Sequence, residues 1–289
     1  MSIARICNLY GMSRQNYYRL KSAAKSYKSR REKVITMLLM IRKLHPKMGI
    51  KKIYHLLKDM MVYEGIKIGR DALFKIAREE GYLVKRSRRA SRTTRGGRRK
   101  FKNHLKGVVV ERINQAWVSD ITYVRVGIRK FGYLFLTMDL YSRKILGYKF
   151  ARSLEARHGV EAIKKALREA GGKVEGLIHH SDHGIQYISR DYTEVIETNG
   201  MIPSMGEVGN AYDNAYAERV IGILKSEYGL SETFVDYQQA DAAVKETILL
   251  YNNYRPHLSL NYATPSQVYK GLKTAPVVKI KNKFSIIGG

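Results

Sequence analysis

A chain of 289 residues, 44% hydrophobic and 10% aromatic, is long enough to bury one large core or two modest ones and too apolar for a disordered tail. The single cysteine, Cys7, excludes an internal disulfide framework, and the longest apolar run, from Met37 to Ile41, falls far short of the ~20 residues of a spanning helix. With no signal-peptide pattern at its start, the chain is expected in the bacterial cytoplasm, associated with the nucleoid and with no membrane partner.

The net charge of +28 is unevenly carried: residues 1–106 hold 30 Lys or Arg against 6 Asp or Glu, and residues 107–289 hold 23 against 19. A front end of net +24 calls for a polyanion. A membrane surface would need a broad apolar face opposite the cations, which the sequence does not offer, so double-stranded DNA is the expected partner.

Taken in order, Ala4 to Tyr10 reads as a short amphipathic helix, Gly11 and Met12 as a turn, and Ser13 as the N-cap of a helix from Arg14 to Lys21. This outlines a helix-turn-helix over residues 1–30, whose second helix would present Arg14, Gln15, Asn16 and Arg19 to the major groove. An ordinary helical hairpin has the same outline. A second helical set over 31–84 comprises Val34 to Leu44, Ile50 to Met61 and Arg70 to Glu80, with Ile53, Leu56 and Leu57 expected to meet Leu73, Phe74 and Ile76 as core. On its last helix Arg70, Lys75 and Arg78 are candidate DNA contacts.

Residues 85–106 hold 11 Lys or Arg and no acid. They read as a basic linker whose Arg88, Arg89, Arg92, Arg95, Arg98 and Arg99 track DNA phosphates. A plain tether would explain the polarity but not the uniform sign.

Beyond Lys106 the pattern turns to strands: Trp117 to Val126, Tyr133 to Leu140 and Ile145 to Phe150 form an antiparallel meander. A helix from Leu154 to Ala170, a strand from Leu177 to His180, a helix near Arg190 to Thr198 and a strand near Met201 to Ser204 follow. Two long helices, Asn214 to Tyr228 and Tyr237 to Tyr254, complete the order. The fold class expected is α/β: an RNase H-like domain with a mixed five-stranded sheet over residues 107–273, preceded by small all-α domains and followed by a tail, 274–289.

Three carboxylates stand where local packing gives no reason for them. Asp120 interrupts the apolar run Ala116-Trp117-Val118-Ser119-Asp120-Ile121, where a charge needs a partner or a metal. Asp182 follows a short strand, and Glu218 sits one turn into a helix capped by Asp213 or Asn214. There are 61 residues between the first two acids and 35 between the last two.

Here the sequence resembles the D, D-35-E transposases and retroviral-type integrases, and among them the OrfB product of the insertion-sequence-three family. The resemblance covers nearly the whole chain: Trp-x-x-Asp at 117–120, His-Ser-Asp-His-Gly at 180–184, Tyr-Asp-Asn-Ala at 212–215 leading to Glu218, Tyr-Asn-Asn-Tyr-Arg-Pro-His at 251–257, and Thr-Pro at 264–265. It implies that Asp120, Asp182 and Glu218 are catalytic and hold two Mg²⁺ ions, with Mn²⁺ able to substitute. Asp120 would bridge the ions, while Asp182 and Glu218 would each complete one site. The chemistry agrees, because two cations ~3.5–4 Å apart activate the attacking oxygen and neutralise the leaving one, and carboxylates are hard ligands suited to Mg²⁺.

Lys225, seven residues after Glu218, shares its helix face with Gly222 and is a candidate contact to the element's end. His179, His180 and His183 invite a zinc reading, but no cysteine lies nearby, and Cys7 alone rules out the His-His-Cys-Cys module of retroviral integrases. His179 is expected inside the strand, with His183 beside the site. Asp139 reads as a strand-end or turn residue outside the metal set. Asn252, Asn253, Arg255 and His257 resemble a family signature from which no function follows.

The expected activity is that of a transposase that binds the terminal inverted repeats of its mobile element, cuts a 3′ end and joins it to another strand. It would act as a dimer or larger homo-oligomer on DNA, with a protein from an upstream frame as a further partner. A DNA-binding repressor with an inactive nuclease domain and a structure-selective RNase H-like nuclease are the alternatives; a two-carboxylate glycosidase leaves the basic front end unexplained.

Overall fold

The computed structural model describes residues 2–84, 101–206 and 214–280. The chain divides into two compact units, Met1–Lys85 and Arg86–Gly289.

In the first unit α1 (Ile3–Leu9) is followed by α2 (Arg14–Leu44), α3 (Ile50–Tyr63) and α4 (Arg70–Glu79). The Ser13 hydroxyl accepts from the Asn16 amide at 3.1 Å, the expected N-cap. One expectation is corrected: α2 is a single helix across residue 30, where the apolar pattern sets a boundary between two helical segments. Residues 22–33 lack apolar periodicity, but they also lack Gly and Pro and are rich in Ala, Lys and Arg, so propensity carries the helix through. Val34 and Leu38 of α2 pack with Ile53 and Leu57 of α3 and Leu73 and Ile76 of α4, while Leu56 and Phe74 flank this core, partly buried.

The second unit contains β1 (Val109–Val110), β2 (Ala116–Val126), β3 (Lys130–Asp139), β4 (Ile145–Ala151), α5 (Ala156–Glu169), β5 (Ile178–Ser181), α6 (Arg190–Thr198), β6 (Ile202–Met205), α7 (Ala215–Tyr228), β7 (Thr233–Phe234), α8 (Tyr237–Asn253), α9 (Pro265–Tyr269) and β8 (Val278–Lys279). The main sheet runs β4-β3-β2-β5-β6, with β7 pairing the end of β2. The β2-β3-β4 pairings are antiparallel, and β2-β5 and β5-β6 are parallel. This is the RNase H-like mixed sheet with a short sixth strand added.

Because β2 is central, both of its faces are covered. Ala116, Val118 and Val124 face a core shared with α7 and α8, whereas Trp117 faces the core of α5 and α6. Gly147 of β4 lets α5 approach closely: a Cβ there would lie 2.1 Å from the Ala162 carbonyl oxygen.

Two boundaries move. Residues 101–106 belong to the second unit rather than to the linker: Leu105 is buried, the His104 amide donates to Ser204 Oγ at 2.9 Å, and the Met205 amide donates to the Lys102 carbonyl at 3.3 Å. Phe101 and Leu105 supply apolar surface that the basic run around them hides from a compositional reading. The start of the expected tail is also part of the fold, since β8 pairs antiparallel with β1 and Val278 is buried in the core.

Candidate active site

Asp120 lies in the middle of β2 and is 1% exposed, with Oδ1 accepting from the Ile121 amide at 2.7 Å. Strand alternation puts it on the face of Val118 and Val124, towards α7 and α8. In the parallel β2-β5 ladder, Val118 is in register with His180 and Ser119 with Ser181. Asp120 and Asp182 are therefore the next residues of neighbouring strands, whose spacing is ~4.8 Å. The Asp182 carboxylate accepts from the Gly184 amide at 3.0 Å, and a Cβ at Gly184 would come within 3.1 Å of the same oxygen. The glycine of His-Ser-Asp-His-Gly thus leaves room for the aspartate to fold over its own turn.

Glu218 comes from the other layer. Asn214 is the N-cap of α7, but its side chain is spent on β2: Nδ2 donates to the Ser119 carbonyl at 3.4 Å. The Glu218 amide donates to the Asn214 carbonyl at 3.1 Å, so the first turn of α7 begins beside Asp120. Asp213, the alternative cap, lies outside the described residues.

Three carboxylates thus come from β2, the end of β5 and the start of α7. Among the described residues no three His, Cys, Asp or Glu side chains close into a metal-holding group. Register sets Asp120 and Asp182 directly after paired residues of β2 and β5, and Asn214 ties the start of the Glu218 helix to Ser119 of β2. By donor chemistry the set fits a hard divalent cation, being all oxygen and anionic, with its central member buried.

Behind the site, Thr137 Oγ1, Ser119 Oγ, His179 Nε2 and the Tyr192 hydroxyl form a buried chain with contacts of 2.8, 2.9 and 3.0 Å. Burial drives the His179 pKa down to about 3, so the imidazole is neutral. His179 is inside the strand, as expected. His180 is also buried, pushed down to about 4, with Nδ1 on Ser204 Oγ at 2.9 Å.

Asp139 is a turn residue: its carboxylate accepts from the Asn114 amide, the Ser142 amide and the Ser142 hydroxyl at 2.8, 2.8 and 2.6 Å. Burial raises its pKa against these bonds. The next turn residue, Arg143, is 9% exposed, has φ +64° and lies 4.3 Å above the ring of Tyr216, two residues before Glu218.

The expected DNA contacts fall into three groups. Arg14, Arg19, Arg70 and Lys75 are exposed in the first unit, with Arg19 bonded to Asn16 and Arg70 ion-paired to Asp71. Lys225 is half-buried in the last turn of α7, and Gly222 on the same face has open space around it. Arg88, Arg89, Arg92, Arg95, Arg98 and Arg99 lie outside the described residues.

The 251–257 signature, which yields no role as sequence, is a fastening. Asn252 pairs with both the amide and the carbonyl of Ile145, at 3.0 and 2.9 Å, capping the exposed edge of β4 like a short strand. The Tyr251 hydroxyl donates to the Arg143 carbonyl at 3.1 Å, and His257 stands edge-on to the Tyr251 ring. The Pro directly after Arg255 ends α8 and is the one structural hint in the sequence.

A family model described as an integrase core domain matches residues 110–211, and a second model of the same description matches residues 199–265. The insertion element IS600 uncharacterized 31 kDa protein of Shigella sonnei is 29% identical over 275 residues, covering 90% of this chain and 96% of that protein. The transposase for insertion sequence element IS629, also of Shigella sonnei, is 32% identical over 162 residues, 56% of this chain and 54% of that protein. This second match spans only about half the length of the relative. Among solved structures, that of the HTLV-2 integrase catalytic core domain in complex with magnesium (trimeric form) has a TM-score of 0.44 at 17% identity, covering 55% of this chain and 97% of that one. No helix among the described residues is long and apolar enough to cross a membrane.

Proposed function

The chain belongs to the integrase-core transposases of bacterial insertion sequences, whose family models match it from residue 110 to residue 265, and we propose that it binds the terminal inverted repeats of its own element and cuts and joins DNA at Asp120, Asp182 and Glu218. The reading is carried by one observation: Asp120 and Asp182 follow residues paired in register on adjacent parallel strands, at the edge where Asn214 docks the helix of Glu218.

In the first step a water oxygen attacks the phosphorus at the element's end, the 3′ oxygen leaves as the hydroxyl, and the water's proton passes to solvent. In the second step that 3′ hydroxyl attacks a phosphorus of the target strand, whose own 3′ oxygen departs. Both steps exchange one phosphodiester bond for another bond to phosphorus and need no covalent protein intermediate. Two Mg²⁺ ions, with Mn²⁺ as substitute, would be held by Asp120, Asp182 and Glu218, and would acidify the attacking oxygen and neutralise the leaving one. The buried polar chain through Ser119 ties β2 to β3, β5 and α6 next to Asp120. Lys225 and the open face at Gly222 give the DNA backbone a cation and room to approach along α7.

Outside the core, the net +24 of residues 1–106 supplies the electrostatic grip on DNA through Arg14, Arg19, Arg70, Lys75 and the arginines of the 85–100 run. The working form is a dimer or larger homo-oligomer on paired DNA ends in the cytoplasm at the nucleoid, joined where the element encodes it by an upstream-frame protein.

The test is cleavage and joining of a labelled duplex carrying the element's end, with Mg²⁺, by the intact protein and by Asp182→Asn. Joined product only with the intact acid is the expected result. Hydrolysis without joining would replace this reading by a nuclease, and tight binding without any cutting would replace it by a repressor.

A further inference from the structure

The two helical hairpins of the first unit are joined by one helix, and that joint has a length. At 31 residues α2 is ~46 Å long. Its beginning, Arg14 to Arg19, forms the second helix of the first hairpin. Its end, from Val34 onward, is built into the core of the second hairpin, where Arg31 also binds Glu79 and Glu80 of the α4 end at 3.0 and 2.8 Å. Between them, residues 20–30 are exposed. From Arg14 to Arg31 the helix rises ~26 Å, and to the buried Val34 and Leu38 ~30–36 Å. One turn of B-DNA, the usual separation of paired helix-turn-helix sites, is ~34–36 Å.

The exposed shaft points to its occupant. Between residues 14 and 31 there are seven Lys or Arg and no Asp or Glu. Lys21, Lys25 and Lys28 recur at helical spacing on one face, where like charges repel unless a polyanion lies between them. A second copy of the shaft would add to that repulsion. The shaft is also stiff, since α2 contains neither Gly nor Pro.

We propose that α2 is a ruler that holds the two hairpins one DNA turn apart, so that the element's end is read as two subsites ~10 base pairs centre to centre on one face of the duplex. The inference rests on the reading of the first unit as a DNA binder.

The experiment is hydroxyl-radical footprinting of the full chain on duplexes carrying the element's ends. The intact protein is expected to protect two patches ~10 base pairs apart within the region bound by the first unit. Inserting 22 helix-forming residues after Ala24, about six whole helical turns or ~33 Å, should move one patch outward by ~10 base pairs, back onto the same face of the duplex. Ala24→Pro, which breaks the shaft, should lower affinity at least tenfold while each patch weakens independently. The insertion lies in an exposed segment, and an unchanged melting temperature would show that the hairpins still fold. A single protected patch, or a spacing that ignores the insertion, overturns the ruler alone. No protection of element ends at all would overturn the DNA-binding reading beneath it.

Discussion

Arg255 grips Glu227 with two parallel bonds: Nε donates to Oε2 and Nη2 to Oε1, each at 2.8 Å. The side chains are 5% and 15% exposed, so the pair sits in a low dielectric and ties the second residue past α8 to the last turn of α7, the helix that carries Glu218. Removing one partner of such a pair leaves a buried charge behind and costs ~3–5 kcal/mol. Arg255→Met should lower the stability measured by urea unfolding by that amount, and Arg255→Lys should recover only part because it cannot fork. Arg255→Met with Glu227→Gln should lose less than the sum of the two single changes. Additive losses would mean that the two residues act separately.

The acid sensitivity of the fold should trace in part to His179. The folded-state pKa is driven down to about 3 by burial, while the unfolded chain binds a proton near 6.5. Above pH 6.5 both states are neutral there and stability is unaffected. Below it the unfolded state gains the proton first, so stability falls by up to ~1.4 kcal/mol per pH unit until the folded pKa is reached. His179→Gln, whose amide can occupy the Nε2 position beside Ser119 and Tyr192, should be less stable at pH 8 but flatter between pH 6.5 and 4. Parallel curves for the two proteins would assign the acid loss elsewhere.

The meander, the helix order and the burial of Asp120 were legible because each rests on local chemistry: period-2 alternation, capping, and a charge inside an apolar strand. Asp139 was also legible, since a carboxylate just before a Ser turn is used by that turn. What was not legible depends on partners distant in sequence. Asn252 meets Ile145, β8 meets β1, and Leu105 meets the core beside β6, none of which any spacing announces. The continuity of α2 failed for the opposite reason, because exposed residues leave no apolar period by which to read a helix.

Arg143 should prove a positioning residue. It is a buried cation stacked on Tyr216, and among the described residues its Nη1 has no hydrogen-bond partner, with the Asp139 carboxylate attracting it only through space. Burial holds its pKa below the usual guanidinium value. Such a group contributes little to stability, and an apolar replacement of similar volume is often neutral. Arg143→Met should therefore melt within a few degrees of the parent yet join DNA ends ~10-fold more slowly at saturating DNA, through a displaced first turn of α7, a loss worth ~1.4 kcal/mol of barrier. Loss of melting temperature in step with loss of rate would make the residue merely structural.

The basic run between the two units should grip DNA rather than act as a tether, and the fold fixes which residues can be removed to ask. Cutting 85–106 would take away Leu105 and the His104 bond to Ser204, so any defect would mix a weaker hold on DNA with a damaged edge of the sheet domain. Residues 85–100 carry nine Lys or Arg and no acid, and exchanging them for a Gly/Ser segment of equal length keeps the reach while removing the charge. Every phosphate that is no longer neutralised should lower the slope of log affinity against log salt by ~0.9. Binding of the element's end, measured from 50 to 200 mM salt, should show a slope reduced by several units, with affinity falling chiefly at low salt. An exchanged segment that leaves the slope unchanged would mean that none of Arg88, Arg89, Arg92, Arg95, Arg98 and Arg99 touches phosphate, and would shift the electrostatic grip entirely onto the helical unit with Arg14, Arg19, Arg70 and Lys75.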